Sequence, residues 1–241
     1  LVKNDLWWRE TLPQLLTDRG YMNKDDMRTL LAWKWGRGQY RPGRSRFEKK
    51  NQDESVMAAT EACLNAAAPL EGARNGPLPV ETINAAIRSA VTAATKMPQV
   101  GPATATAILA ARFPETCPFY SDEAMESVDM FREPYTLSRY LQFAQVLREK
   151  ASALGENWTA EKVGRALWTA SKARALGLDD ERSPISLYLG IGSLLIYKGE
   201  ARYDWTHHIT KRKKDKINGK QVKKLGKIDG FRPQMTKTKF K

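Results

Sequence analysis

The stretch of sequence that decides the fold is Thr95-Lys96-Met97-Pro98-Gln99-Val100-Gly101-Pro102-Ala103-Thr104-Ala105. It predicts a tight turn followed at once by an Ala/Thr-rich helix, with Pro102 at the first helical position, where a missing N–H costs little. Gly101 lacks a Cβ, so another backbone or a phosphate can approach it closely. The N–H groups and the positive dipole end of the following helix favour an anion beyond the turn. A generic helical hairpin that is indifferent to anions is the alternative.

Helical periodicity extends over most of the chain. Apolar residues recur every three or four positions, and Gly20 is placed to end the first helix. The predicted helices cover residues 6–19, 23–35, 55–68, 80–96, 102–113, 136–155 and 159–176. No clear strand alternation is found, and the apolar run 187–196 is ambiguous between helix and strand.

Three parts of the chain are expected to differ in character. Residues 1–175 form an all-α core, and residues 176–206 form a short apolar and turn segment that packs on it. Residues 207–241 form a basic tail that is extended or disordered when free. Of the total net charge of +13, residues 197–241 hold +11, from 15 Lys and Arg against 4 Asp and Glu, which leaves +2 for residues 1–196.

The most basic run in the tail is Lys211-Arg212-Lys213-Lys214. Such a run is suited to phosphate contacts, to nuclear import, or to both. A solubilising disordered tail is the alternative. We expect a nuclear protein whose partner is nucleic acid, and which the tail can attach to a larger nucleoprotein assembly.

Cysteine and histidine usage argues against a metal or cofactor. Cys63 and Cys117 each stand alone, and His207 and His208 are adjacent within a basic stretch. This pattern is unsuited to a disulfide framework, a structural zinc or an iron–sulfur cluster. No apolar run reaches the length that a membrane-spanning helix needs, so we expect no membrane partner.

Residues 97–105 resemble the hairpin of the helix-hairpin-helix DNA glycosylase superfamily, whose pattern reads Leu-Pro-Gly-Val-Gly-x-x-Thr-Ala. The matching residues are Pro98, Val100, Gly101, Thr104 and Ala105. Met97 replaces Leu conservatively. Gln99 replaces the first Gly, a position where the turn can require an unusual φ. The resemblance implies an all-α glycosylase-like core that contacts DNA phosphates through Lys96, Gln99, Val100, Gly101 and Ala103.

The superfamily also places an essential aspartate shortly after the second helix of the hairpin. Here Asp122 follows Pro118-Phe119-Tyr120-Ser121 and lies 19 residues after Ala103. The resemblance makes Asp122 the catalytic carboxylate, and the alternative is an N-cap for a helix that begins near Glu123. Bifunctional members carry a lysine where this chain has Ala103, and alanine cannot form a Schiff base. The resemblance therefore implies the monofunctional type.

A second notable segment is Trp33-Lys34-Trp35-Gly36-Arg37-Gly38-Gln39-Tyr40-Arg41-Pro42. An uncharacterised eukaryotic branch with a glycosylase-like hairpin has a similar stretch. Its mixture of cations and aromatics is typical of a surface that binds phosphates and stacks on bases. We predict that Arg37, Tyr40 and Arg41 contact nucleic acid or the base pocket, whereas the two tryptophans belong to the core.

These features lead to two hypotheses. The first is a DNA repair enzyme of the base-excision type, a hydrolase that cleaves the N-glycosidic bond of a flipped base. The second is a catalytically inactive module of the same fold that binds DNA or RNA within a larger assembly. An open cavity with aromatic walls around Asp122 favours the first, and a filled one favours the second.

Overall fold

The computed structural model describes residues 2–37, 44–130 and 136–176, together with short strands between residues 185 and 237. The chain divides into two compact units, Leu1–Lys172 and Ala173–Lys241. Over residues 2–176 all regular structure described is helical, which confirms the all-α prediction for this part of the chain. None of the helices that are described is long and apolar enough to cross a membrane.

The helices follow one another with short connections. They are α1 (Val2–Leu6), a π-helical turn (Trp7–Thr11), α2 (Leu12–Arg19), α3 (Lys24–Arg37), α4 (Arg44–Lys50), α5 (Asp53–Ala67), a 3₁₀ segment (Ala68–Arg74), α6 (Val80–Ala94), α7 (Pro102–Arg112), α8 (Asp122–Glu126), α9 (Leu137–Leu154) and α10 (Ala160–Ala175). The predicted helices agree with these bounds to within a few residues. Helix α4 and the 3₁₀ segment were not predicted, and α8 was expected only in the alternative interpretation of Asp122.

Helix ends are set by local capping. Gly20 adopts φ 72° at the end of α2, a left-handed conformation that glycine tolerates best. At the start of α3, Asn23 accepts a hydrogen bond from the Asp26 N–H, and the Asp26 carboxylate accepts one from the Asn23 N–H. This reciprocal pair satisfies N–H groups that the helix itself leaves without acceptors.

The core is built around α7 and two stacked tryptophans. Residues 104–111 of α7 are all buried, and their small side chains allow neighbouring helices to approach closely. The rings of Trp8 and Trp33 stack with centroids 4.2 Å apart and planes 9° from parallel. The indole N–H of Trp8 donates to the carbonyl of Ala107, and the ring of Phe119 packs 4.9 Å from Trp33. The N-terminal helices are thereby fixed to the hairpin region.

A buried ion pair joins α1 to the end of α3. The Arg37 side chain is 7% exposed, and its guanidinium lies 3.1 Å from the carboxylate of Asp5. The same carboxylate oxygen accepts a hydrogen bond from the indole N–H of Trp33 at 3.0 Å. Because a buried charge is costly unless it is paired, this carboxylate is required where it stands.

The second unit contains antiparallel strands, β1 (Ile185–Ser186), β2 (Trp205–Ile209), β3 (Lys214–Ile217), β4 (Lys220–Lys223) and β5 (Pro233–Lys237). One sheet has the order β1-β5-β2, and β3 pairs with β4. The sequence shows no clear strand alternation in these segments. The strands are short, and the pairing of β1 and β2 with β5 depends on segments distant in the chain, so local periodicity carries little information about it.

We predict that Asp5→Ala lowers the free energy of unfolding by about 2–4 kcal/mol, because it leaves the Arg37 charge buried without its carboxylate. The side chain of Asp5 is 26% exposed, which keeps the expected cost below that of a fully buried pair. Urea denaturation followed by circular dichroism measures the effect.

The matched control is Asp25→Ala. Asp25 pairs with Arg28, but its side chain is 78% exposed. An exposed pair of this kind contributes under about 1 kcal/mol. Equal losses from the two substitutions would contradict a special role for the buried pair.

Candidate nucleic-acid site

A cavity of about 280 Å³ lies where α3, the turn before α7 and the start of α8 meet. Among the predicted site residues it brings together Arg37, Gln99, Gly101, Ala103 and Asp122. The cavity is therefore lined by the three segments that the sequence points to separately: the end of α3, the hairpin turn with the start of α7, and the residues around Asp122. Among the described residues, no side chain fills it.

Other predicted residues lie elsewhere. Lys96 is exposed and Val100 is 5% exposed beneath the turn. Neither residue lines the cavity. Tyr40, Arg41, Lys211, Arg212 and Lys213 fall outside the described residues. Lys214 begins β3, and only its backbone is described.

Asp122 stands at the first position of α8. The N-cap is Ser121, whose hydroxyl accepts a hydrogen bond from the Ala124 N–H at 3.3 Å. The interpretation of Asp122 as the N-cap of this helix is therefore wrong, because the preceding serine already has that role. Asp122 is partly buried, and its carboxylate gains from the positive end of the helix.

The segment before α8 is held by two hydrogen bonds. The hydroxyl of Tyr140 donates to the carbonyl of Pro118 at 3.1 Å, and the Tyr120 N–H reaches the hydroxyl oxygen of Thr106 at 3.4 Å. Because Thr106 belongs to α7, the second contact couples the position of Asp122 to the helix of the hairpin. A carboxylate placed in this way is preorganised rather than mobile.

Aromatic side chains form part of the cavity wall. Trp35, Phe119 and Tyr120 line it, and the ring of Tyr120 packs 5.2 Å from that of Tyr140. Burial raises the pKa of Tyr120 to about 12, so its hydroxyl is protonated at neutral pH. Trp35 packs against the core, as the sequence predicts, but it is only partly buried and also lines the cavity.

Lys34 brings an amine to the same cavity. Its Nζ donates to the hydroxyl of Thr104 at 3.1 Å, in the first turn of α7. Lys34 belongs to the segment of cations and aromatics singled out in the sequence, but it was not selected as a site residue, because only tertiary contacts distinguish it from an exposed helix lysine. Only the packing of α3 against α7 places this amine and the Asp122 carboxylate in one cavity.

Arg37 lies at the cavity wall with its guanidinium largely engaged. Besides its pair with Asp5, it lies 4.1 Å from the ring centroid of Trp168 and 5.0 Å from that of Trp33. Burial lowers the pKa of Arg37, and Asp5 opposes this shift. These contacts give Arg37 a structural role in holding α3 and α10 around the cavity.

The turn between α6 and α7 keeps a left-handed residue. Gln99 adopts φ 67°, whereas Gly101 has φ −101° and ψ 178°, an extended conformation open to any residue. A Cβ added at Gly101 would meet nothing within 4 Å. The unusual φ expected at position 99 is therefore confirmed, whereas the backbone conformation of Gly101 does not require glycine.

No metal site is found among the described residues, where no three His, Cys, Asp or Glu side chains cluster. Cys63 and Cys117 are buried free thiols. Burial raises their pKa values to about 12 and about 11, so both are neutral at physiological pH. Neutral buried thiols of this kind behave as apolar core residues.

No protein-family model matches the chain, and comparisons with curated proteins and with solved structures found no match either. The features that bear on its function are a helical hairpin, a cavity beside it, and the carboxylate, amine and aromatic rings that line the cavity.

We predict that Gln99→Val lowers the free energy of unfolding by about 1–2 kcal/mol, because β-branched residues tolerate positive φ poorly. Gln99→Gly is expected to raise it by up to about 1 kcal/mol, since glycine adopts this conformation without strain. Thermal or urea denaturation measures both.

Gly101→Ala serves as the control. It is expected to change stability by less than about 1 kcal/mol, because the backbone and the space around it accept a Cβ. A larger loss from Gly101→Ala than from Gln99→Val would show that the constrained position has been misassigned.

Proposed function

We propose that this protein is a monofunctional DNA N-glycosylase, which hydrolyses the bond between the sugar and a base that has been flipped out of the duplex. The observation that supports it most directly is the cavity of about 280 Å³ in which Asp122 faces the hairpin turn beside aromatic rings. A carboxylate, a phosphate-binding turn and stacking surfaces are the parts that this reaction needs.

The cavity suits one base. Small-molecule sites have volumes of roughly 300–1,000 Å³, so this cavity lies at their lower limit. Trp35 and Phe119 offer rings on which a flipped base can stack, which offsets part of the few kcal/mol that leaving the duplex costs.

The chemistry falls to Asp122. As the C1′–N bond breaks, its electron pair leaves with the base, and positive charge develops on the sugar. A fixed carboxylate stabilises that charge more than it stabilises the neutral substrate, which lowers the barrier. The same carboxylate can orient a water molecule and accept its proton as the water oxygen bonds to C1′. The products are a free base and an abasic sugar.

The hairpin is proposed to hold the DNA backbone. Helix α7 starts at the cavity rim, and its positive dipole end attracts a phosphate. Gly101 is exposed and has open space around it, so a phosphate can approach its backbone. Lys96 is exposed on the preceding side of the turn and adds a cation for the same strand.

Lys34 can take part in the reaction in two ways. In the monofunctional reaction its ammonium stabilises negative charge on the departing base or on a nearby phosphate. If its amine instead attacked C1′ and displaced the base, opening of the C1′–O bond of the sugar ring would give a Schiff base, which allows strand cleavage. The two routes give different products, and we favour the first because Ala103 stands where the resemblance would require the lysine.

The inactive binding module is the second candidate. It is favoured by the small net charge of residues 1–196 and by Gln99 in place of a glycine. In that case the basic run near residue 211 supplies most of the affinity and joins the protein to a nuclear nucleoprotein assembly. The replacement of glycine by Gln99 is the weaker of these two observations, because Gln99 adopts the positive φ that a glycine would adopt there.

The decisive substitution is Asp122→Asn. We expect base release to fall at least about 100-fold to 1,000-fold, because the amide carries no charge to stabilise the sugar cation. DNA affinity and the helical circular dichroism spectrum should stay unchanged. The assay is a panel of duplexes with damaged or mismatched bases, analysed for base release with and without alkali. Glu126→Gln, an exposed change in the same helix, is the control and should retain full activity.

The products and the control separate the alternatives. An abasic product that breaks only in alkali supports the monofunctional route. Strand breaks without alkali that disappear in Lys34→Gln would assign the amine route. Failure to release a base from every substrate, despite DNA binding, would favour the binding module.

A further prediction concerns the basic run. Substituting Lys211, Arg212, Lys213 and Lys214 by glutamine should reduce the magnitude of the slope of log affinity against log salt by about 3–4, because each lost phosphate contact no longer releases a counterion. Fluorescence anisotropy with a labelled duplex measures the slope. An unchanged slope would mean that these residues contact no phosphates.

A further inference from the structure

Helix α4 is attached directly to the turn of the hairpin. Phe47 is 1% exposed and anchors the helix in the core. The buried side-chain amide of Asn51, just beyond the helix, donates to the carbonyls of Phe47 at 2.9 Å and Pro98 at 3.0 Å. Because one amide bridges both segments, the end of α4 is fixed beside the exposed tip of the turn.

The outer face of α4 carries only positive charge. Arg46, Lys49 and Lys50 are exposed, and their i, i+3, i+4 spacing places them on one side of the helix. The acidic residue of α4, Glu48, is directed to α3 instead, where both carboxylate oxygens lie 2.6 Å from the guanidinium of Arg28.

These cations form no salt bridge within the part of the chain that the structure describes. Among the residues that the structure describes, no carboxylate comes within 4.0 Å of Arg46, Lys49, Lys50 or Lys96. Like charges at this helical spacing repel one another by a few tenths of a kcal/mol per pair. A polyanion that lies along the face removes that repulsion.

We infer that α4 and the hairpin turn form one continuous surface that binds the phosphate backbone of nucleic acid, with Arg46, Lys49 and Lys50 contacting phosphates next to those held at the turn. This inference rests on the proposed function, because the cavity that receives the flipped nucleotide opens beside Gln99 in the same turn. Charge complementarity identifies the occupant, since the face presents cations without apolar side chains.

In this arrangement α4 positions the bound strand. The hairpin holds the backbone close to the cavity, and α4 holds the neighbouring phosphates of the bound strand. Contacts at two adjacent places fix the position and direction of the strand better than one place can. The basic run near residue 211 is not needed for this positioning.

The test uses the full-length protein with Arg46→Gln, Lys49→Gln and Lys50→Gln combined. The matched control combines Arg88→Gln, Lys150→Gln and Lys162→Gln, which removes three exposed cations from α6, α9 and α10. A labelled duplex is titrated at several salt concentrations. We expect the magnitude of the slope of log affinity against log salt to fall by about 2–3 in the α4 variant and by less than about 1 in the control.

Two further measurements exclude trivial causes. The Arg46→Lys, Lys49→Arg, Lys50→Arg variant keeps every charge and should retain the original slope. Thermal denaturation of the α4 variant should show no loss of stability, because the three substituted side chains are exposed and their mutual repulsion is removed. A lower slope in the glutamine variant alone, with unchanged stability, supports the inference.

Failure of the inference can be distinguished from failure of the proposed function. If the original protein binds the duplex and the α4 and control variants have equal slopes, the α4 surface is refuted and the proposed enzyme stands. If the α4 slope falls but no base is released from any duplex, the surface stands without the enzyme. If the original protein binds no nucleic acid, both are overturned.

Discussion

The buried charge of Arg37 constrains the arrangement of the helical unit. A guanidinium that is 7% exposed requires a carboxylate, and Asp5 of α1 supplies it at 3.1 Å. The ring of Trp168 from α10 covers the guanidinium at 4.1 Å. The first and last helices of this unit must therefore both reach the end of α3. The cavity is formed at this end of α3, so its walls depend on the same contacts.

The cavity gathers polar groups in a way that a core chosen for stability alone would avoid. An amine from α3 and a carboxylate from α8 line one space with three aromatic rings. Burial of such groups is costly, and functional sites are where proteins accept that cost. At the same helix, Glu123 pairs with Lys172 of α10 at 2.6 Å, which holds α8 in place from outside. Asp122 is thus placed by contacts on both sides of a five-residue helix that has little stability of its own.

The candidate site could be predicted only in part, because some of its features are local in the sequence and others arise from tertiary packing. The turn and the spacing to Asp122 are local features, so the sequence places both segments. The sequence does not show that Ser121 is the cap, because Ser and Asp are both good N-caps and only the hydrogen bond to Ala124 distinguishes them. Lys34 and Trp35 were missed because their contribution arises from the packing of α3 against α7. Helix α4 was missed because seven residues with one buried anchor have a weak periodic signal.

The sequence by itself determined the helical class of residues 2–176, the ends of most helices, and the position of the hairpin turn, because capping residues, proline and apolar spacing act within a few residues. Only the tertiary structure decided which side chains meet. It paired Arg37 with Asp5, placed Lys34 beside the hairpin, and left open space near Asp122. These outcomes depend on contacts between residues far apart in the chain, and local periodicity carries no record of them.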